Sequence, residues 1–165
     1  IYTFFASRAY SYLSDDPATC VNCHVMAPYY ATWMHSSHGR NTTCNDCHAP
    51  QDNFVHKYYV KGLNGLRHGA VFTMRGEDQA MEAIELNSQV IMNNCIRCHT
   101  QLNTEFVNTG RFSYKEMQDI GGKACWDCHR DVPHTRSRSL SSTPNAHVPM
   151  PKSNVPEWLH NMVNK

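Results

Sequence analysis

A five-residue pattern, Cys-x-x-Cys-His, occurs four times in this chain, at residues 20–24, 44–48, 95–99 and 125–129. It uses all eight cysteines of the chain, which are Cys20, Cys23, Cys44, Cys47, Cys95, Cys98, Cys125 and Cys128. Two thiols at this spacing can form thioether bonds to the two vinyl groups of one haem, and the histidine that follows can then ligate the iron. The pattern therefore predicts four covalently attached c-type haems.

Two other uses of these cysteines have to be weighed. Pairs of Cys-x-x-Cys motifs can hold zinc, and eight cysteines in a secreted chain can form a disulfide framework. Neither use requires a histidine directly after every second cysteine, so we favour haem attachment. Attachment of this kind is expected outside the cytoplasm, which places the motifs in the periplasm or an equivalent compartment.

The composition leaves little apolar side chain for a conventional interior. Hydrophobic residues make up 41% of the 165 residues, and the mean hydropathy is −0.57. Four haems would leave about 41 residues for each, so we expect a mainly α-helical chain with much irregular structure, organised around four stacked haems. The formal net charge is +1, which gives no sign of a nucleic-acid partner.

The two ends of the chain differ from its middle. Residues 1–14 are rich in aromatic side chains and carry no acidic residue, as expected for the end of a membrane anchor helix, although a buried amphipathic helix is the alternative. Five of the eight prolines follow residue 130, so residues 136–165 are predicted to form an extended, partner-binding arm that carries Trp158. Residues 15–135 are then the tetrahaem domain.

Helices are predicted between the motifs. Pro28 suits the first turn of a helix that Gly39 would close, with His35 and His38 on neighbouring turns. Apolar spacing predicts a helix over residues 54–72 and a second over residues 79–94, which would deliver the third motif. A short segment at 114–120 precedes the glycines at 121–122.

Two features suggest that the first motif differs from the others. Met26 follows His24 by two residues and offers a second possible iron ligand, although methionine also packs well in cores. Lys57, Lys61 and His68 share one face of the predicted helix. That face could meet a haem, or the two lysines could simply be solvated charges.

The order and spacing of these features resemble a known family. The relevant residues are the first motif with Met26, then Ser37-His38, then Cys44 through Pro50, then Lys61 and Gly65-Leu66-Arg67-His68. From Cys20 to about Arg136 they are similar to the NapC/NirT family of quinol dehydrogenases, in particular to the NrfH-like tetrahaem subunits of cytochrome c nitrite reductase. The resemblance implies a subunit anchored in the cytoplasmic (inner) membrane whose haem domain faces the periplasm.

The resemblance also implies roles for single residues. Met26 would ligate the iron of haem 1, with His24 as the alternative. His48 and His134 would ligate haem 2, and His99 and His38 would ligate haem 3. His129 would ligate haem 4, whose second ligand would come from the multihaem catalytic subunit, so a hetero-oligomer is expected.

The same resemblance places the substrate, menaquinol, beside haem 1. Lys61 would lie in the quinol pocket and stabilise negative charge on a quinol oxygen. His68 stands where some members have an aspartate; it could accept a proton, or it could bind the iron and close the site. The alternatives are the same chemistry feeding a different periplasmic reductase, or a soluble tetrahaem shuttle without quinol activity.

Overall fold

The computed structural model describes residues 1–78, 81–102, 112–135, 139–150 and 161–162. Within these ranges the chain forms helices and turns, and no strand is present. The helices are α1 (Tyr2–Ala6), α2 (Ala27–His35), α3 (Cys44–His48), α4 (Phe54–Met74), α5 (Glu85–Cys98), α6 (Tyr114–Asp119) and α7 (Cys125–Cys128). Short 3₁₀ turns connect them at Ala9–Leu13, Pro17–Asn22, His24–Met26, His38–Arg40, Thr100–Leu102 and Leu140–Ser142. The expectation of a mainly helical chain with much irregular structure is confirmed.

The longest helix is α4, and its position agrees with the prediction. Asn53 caps its start, where the side-chain oxygen accepts a hydrogen bond of 2.8 Å from the backbone N–H of His56. The helix ends at Arg75, whose φ of 51° is left-handed. Local signals at both ends therefore fix the length of this helix.

The helix before the third motif begins later than predicted. α5 starts at Glu85, because Ile84 is extended, with φ −68° and ψ 162°. Residues 81–84 are not helical, and residues 79 and 80 lie outside the described ranges. The helix does run through Cys95 and Cys98, so it delivers the third motif as predicted.

The helix after the first motif ends earlier than predicted. α2 has Pro28 in its first turn, as expected, but it ends at His35 rather than at Gly39. The Ser36 hydroxyl donates to the Trp33 carbonyl at 2.7 Å and accepts from the His38 N–H at 3.2 Å, and this turns the chain out of the helix. The prediction that His38 lies on this helix was therefore wrong.

The buried apolar residues form two small clusters. One contains Val21, Tyr30 and Trp33, and the other contains Met92, Met117 and Ala124. A buried amide connects α5 to the second motif, since Asn94 Nδ2 donates to the carbonyls of Cys47 and Ala49, each at 2.9 Å. Side chains alone thus supply only a small core.

The N-terminal segment lies against α4. The 3₁₀ turn Ala9–Leu13 contacts this helix, and the ring of Tyr12 would be 3.4 Å from a Cβ placed on Gly65. Glycine at that position lets the ring approach the helix backbone closely. None of the helices in the described ranges is both long enough and apolar enough to cross a membrane. Trp158 and most of the predicted arm lie outside those ranges.

Candidate functional site

The four motifs lie beside one another in chain order. The first motif is formed by two 3₁₀ turns, the second by α3, the third by the end of α5 and the fourth by α7. Cys20 lies close enough to Cys44 for their thiols to interact, and Cys95 lies equally close to Cys125. Cys47 also lies close enough to Cys98 for their charges to interact. Motif one therefore neighbours motif two, motif two neighbours motif three, and motif three neighbours motif four.

No disulfide joins the eight cysteines, all of which are described. The described part of the chain also contains no group of three or more His, Cys, Asp or Glu side chains placed to hold a metal ion. A haem iron has a different requirement, because the macrocycle supplies four of its ligands and the protein needs to supply two at most.

Two pairs of histidines meet that requirement. The ring centroids of His38 and His99 are 6.0 Å apart, and those of His48 and His134 are 6.3 Å apart. An imidazole nitrogen binds a metal at about 2 Å, so two imidazoles on opposite sides of one iron have centroids separated by roughly 6 Å. Both pairs therefore fit the axial ligation of a haem.

The ring of His134 is held in a defined orientation. Its Nδ1 lies 2.9 Å from the backbone carbonyl of Tyr29, to which it can donate, and 3.5 Å from Oγ1 of Thr32. Such a hydrogen bond leaves Nε2 with the lone pair that binds a metal. His134 is thus oriented by α2, more than a hundred residues away in sequence.

The facing ring, His48, is suited to ligation by its protonation. Desolvation, with smaller contributions from His134 and His68, lowers the pKa of His48 to about 4. The imidazole is therefore neutral at pH 7, as a metal ligand must be.

The first and fourth motifs lack the facing histidine pair seen at the second and third motifs in the described ranges. His24 is exposed, whereas Met26 is half-buried and packs against the cluster of Val21, Tyr30 and Trp33. Both remain candidates for the iron of haem 1. Within the described ranges no histidine ring lies opposite His129.

A buried cation lies near the first motif. Lys61 is only 6% exposed, and its Nζ donates to the Ser14 carbonyl at 2.9 Å and to Asp15 Oδ1 at 3.0 Å. The positive charge of Lys61 acts on Cys20 of the first motif. The interpretation of Lys61 as a simply solvated charge was therefore wrong. The amine is buried, and Asp15 compensates its charge, which would be costly to bury alone.

Asp15 is a functional candidate that sequence reasoning missed. Its carboxylate accepts hydrogen bonds from Lys57 at 2.5 Å, from Asn45 at 2.7 Å and from Lys61. Burial would raise the pKa of Asp15, but the bonds from Lys57 and Lys61 outweigh it and lower the pKa to about 2. Two lysines four residues apart on one helix face repel each other, so an anion nearby stabilises them. This spacing of Lys57 and Lys61 was the sequence signal that could have indicated a carboxylate partner.

His68 lies on the same side of α4 and is bonded to the N-terminal segment. Its Nδ1 is hydrogen-bonded to the hydroxyl of Tyr12, and the two rings are 6.0 Å apart at an angle of 65°. Desolvation and the nearby charge of Arg67 lower the pKa of His68. The structure therefore brings Lys61, His68, Asp15 and Tyr12 together where α4 crosses the N-terminal segment.

Comparison with known proteins agrees with this arrangement. The chain is 40% identical to the cytochrome c-type protein NrfH of Wolinella succinogenes over 147 residues, which cover 88% of this chain and 83% of the relative. It is 33% identical to the cytochrome c nitrite reductase subunit NrfH of Nitratidesulfovibrio vulgaris over 129 residues, covering 78% of this chain and 74% of the relative.

A solved structure is also similar. It is the crystal structure of the cytochrome c nitrite reductase NrfHA complex bound to the HQNO inhibitor, with a TM-score of 0.62 at 31% identity. The similarity covers 89% of this chain and 91% of the matched chain. Residues 1–139 match the N-terminal region of the NapC/NirT cytochrome c family. The repeated motif, the facing histidine pairs and these similarities together show that this chain belongs to the NapC/NirT cytochrome c family and carries haem c.

Proposed function

We propose that this chain is a membrane-anchored tetrahaem quinol dehydrogenase. It oxidises menaquinol and passes electrons to the multihaem catalytic subunit of a periplasmic cytochrome c nitrite reductase. The similarity to two NrfH proteins and to a chain of the NrfHA complex supports this assignment. The observation that carries it is the buried amine of Lys61 beside the first motif.

Four haem c groups are proposed, one for each motif. His48 with His134, and His99 with His38, hold the irons of haems 2 and 3, as their ring separations of 6.3 and 6.0 Å support. Met26, with His24 as the alternative, holds the iron of haem 1. When bound, the haems supply one-electron chemistry and conduction away from the quinol.

Lys61 and His68 act on the quinol in this proposal. The Lys61 ammonium donates a hydrogen bond to a quinol oxygen and stabilises the negative charge that develops there, an effect that is strong where water is excluded. His68, with its lowered pKa, is neutral at pH 7 and can accept the quinol proton through Nε2. Tyr12, bonded to Nδ1 of the same ring, fixes its orientation.

Asp15 positions Lys61 rather than taking part in proton transfer. A carboxyl with a pKa of about 2 is a weak base, so it stays anionic and holds the ammonium by charge. Its oxygens bind Lys57 and Asn45 as well, so the anion is anchored to both α4 and the second motif. The Lys61 ammonium is thereby held in a defined position beside the first motif.

The ends of the chain connect the site to the membrane and to a partner. Residues 1–14, with exposed Tyr2, Phe4 and Phe5, form the end of the anchor helix, and the domain of residues 15–135 faces the periplasm. Residues 136–165 contact the partner. His129 holds the iron of haem 4, and the catalytic subunit supplies the ligand on the other side.

Replacing Lys61 tests the quinol site. Lys61→Ala is expected to slow reduction of the haems by a menaquinol analogue by about 100-fold, since it removes a hydrogen-bond donor to the developing charge. Reduction by dithionite should be unchanged, because it does not use the pocket. Stopped-flow absorbance of the haem bands measures both rates.

Lys57→Ala is the matched control. Lys57 also binds Asp15 but lies one turn away and is more exposed, so its removal should leave most of the quinol rate intact. If Lys61→Ala reduced as fast as the unchanged protein in both assays, the quinol site would not be at Lys61. If neither the unchanged protein nor Lys61→Ala reacted with the quinol, a shuttle without quinol activity would be the better description.

A further inference from the structure

Several large apolar side chains of α4 lie on its outer surface, although Val60 is buried against the protein. Val55, Tyr59 and Leu66 are separated by four and seven residues, so they form one stripe along three turns. Val55 is 75% exposed, Tyr59 63% and Leu66 76%. A Cβ at Gly62 or Gly69, on the same side, would meet no atom within 4 Å. The whole stripe is therefore open.

The polar side chains of α4 face the opposite direction. Lys57 and Lys61 reach Asp15, and Asn64 exchanges two side-chain hydrogen bonds of 3.1 Å with Asn87 of α5. In a helix on the surface of a water-soluble protein the apolar stripe faces the core and the polar residues face water. α4 has the reverse arrangement, which suits a surrounding medium that is less polar than water.

The stripe is also remote from the proposed haem and quinol positions. Lys61 and His68, which mark the side toward motif one, lie at roughly the opposite side of the helix from Tyr59 and Leu66, at 100° per residue. A group bound beside Lys61 would therefore leave the stripe uncovered.

The charged residues on and beside α4 indicate what covers the stripe. None of the 21 residues of α4 is acidic, whereas Arg67 is exposed at the edge of the stripe and Arg75 is exposed at its end. Basic residues that flank an apolar helix face are typical of helices that lie in the interface of a membrane containing anionic lipids. The apolar residues enter the acyl boundary, and the basic ones meet the phosphates.

The N-terminal segment exposes apolar side chains as well. That segment packs on α4 through Tyr12 and Gly65, and it exposes further apolar side chains, namely Ile1, Tyr2, Phe4, Phe5 and Tyr10. Tyrosine and phenylalanine are favoured at the boundary between lipid and water. Two neighbouring elements, α4 and the N-terminal segment, thus both expose side chains typical of a membrane interface.

We propose that α4 lies flat on the membrane, with the stripe of Val55, Tyr59 and Leu66 inserted at the acyl boundary and Arg67 and Arg75 bound to anionic headgroups. This contact is additional to the anchor proposed for residues 1–14. At about 1.5 Å per residue, the helix covers roughly 30 Å of membrane surface. Lys61 and His68 then lie on the opposite side of α4 from the inserted stripe, within about one helix diameter of the lipid.

Nitroxide labels test the proposal in the haem-loaded chain. Leu66→Cys and Val55→Cys are labelled in separate preparations and reconstituted into vesicles of equal parts phosphatidylcholine and phosphatidylglycerol. The labels report collision with oxygen, which concentrates in lipid, and with a nickel chelate, which stays in water. At both positions the ratio of oxygen to nickel accessibility is expected to be several-fold higher than at Ile120→Cys, an exposed apolar position on a different element.

Each other outcome overturns the proposal. High nickel accessibility at position 55 or 66 would place that part of α4 in water. Low accessibility to both reagents would mean that protein covers the stripe, either a second copy of this chain or a partner subunit. Both substituted side chains are already exposed, so the labels do not disturb packing, and the haem absorbance spectrum checks folding. The outcome does not depend on whether Lys61 binds a quinol.

Discussion

Histidines in two regions of this molecule are arranged in different ways. In the middle motifs, His38 faces His99 and His48 faces His134 at separations that fit two ligands of one iron. Where α4 crosses the N-terminal segment, His68 instead bonds to Tyr12, and a buried lysine and a carboxylate lie beside it. The first arrangement would suit a metal held on both sides, whereas the second keeps ionisable groups available.

This difference corresponds to a division of labour. Electron transfer needs iron whose ligands do not change, and paired imidazoles supply that. Oxidising a quinol also releases protons, which requires groups that bind the substrate and accept protons near neutral pH. In the proposed function, the facing histidine pairs form a relay region, and the crossing of α4 with the N-terminal segment forms a reactive region. Variants in each should therefore affect different measurements.

The largest effect is expected in the relay region from His134→Ala. Removing the ring that faces His48 leaves one iron without its second protein ligand, so about one quarter of the haem iron should change from low spin to high spin. Transfer from the quinol to the later haems should fall by an order of magnitude or more. Electron paramagnetic resonance and stopped-flow absorbance measure the two effects.

His35→Ala is the matched control for that prediction. His35 is an exposed histidine at the end of α2, close in sequence to His38, and it belongs to neither facing pair. Its removal should leave the spin state unchanged. A low-spin spectrum for His134→Ala equal to that of the unchanged protein would show that His134 is not a ligand.

The next largest effect is expected from Gly39→Ala, also in the relay region. A Cβ at this position would lie 2.5 Å from the Trp33 carbonyl oxygen and 2.9 Å from that of Met34. Backbone atoms cannot move aside easily, so we expect a loss of about 2–3 kcal/mol in the free energy of unfolding. Because His38 is adjacent, the low-spin signal of one haem should also broaden. Urea denaturation followed by circular dichroism measures the loss, and an unchanged midpoint would contradict it.

Sequence alone predicted the locally determined elements of the fold better than its long-range contacts. The Cys-x-x-Cys-His repeats, a helix over residues 54–72 and the proline in the first turn of α2 all depend on local signals. The structure has all three, with the helix running on to Met74. The partners of Asp15 are 30, 42 and 46 residues away, so no local pattern indicates them. Periodicity likewise predicted α4 but could not show which of its faces is exposed. The spacing of apolar residues shows that they share a face, but not whether that face packs against protein.

Asp15→Asn tests the reactive region. The amide retains the shape of the side chain but leaves the buried charge of Lys61 less compensated. Because Asp15 is 44% exposed, water screens part of the loss, and we expect about 1 kcal/mol in the free energy of unfolding at pH 7. The quinol rate should fall through kcat more than through KM, since Asp15 holds in place a lysine that acts on charge developing during the reaction.

The effect of this substitution depends on pH. The pKa of Asp15 is lowered from 3.8 to about 2 in the folded chain, so its contribution to stability is fully present above about pH 4 and is lost as the pH falls toward 2. The difference between the unchanged protein and Asp15→Asn should therefore shrink over that interval. A difference that stayed constant from pH 7 to pH 2 would show that it does not come from the charge of Asp15.

The smallest effect is expected from Gly62→Ala, on the outer face of α4. A Cβ there meets nothing within 4 Å, in contrast to the crowded position of Gly39, and alanine favours a helix over glycine by about 1 kcal/mol. The free energy of unfolding should rise by roughly 0.5–1 kcal/mol in detergent solution. Gly69→Ala, also open and two turns away, should add a similar amount independently. A loss of stability in either variant would mean that other protein packs on this face, and it would remove the structural basis for placing α4 on lipid.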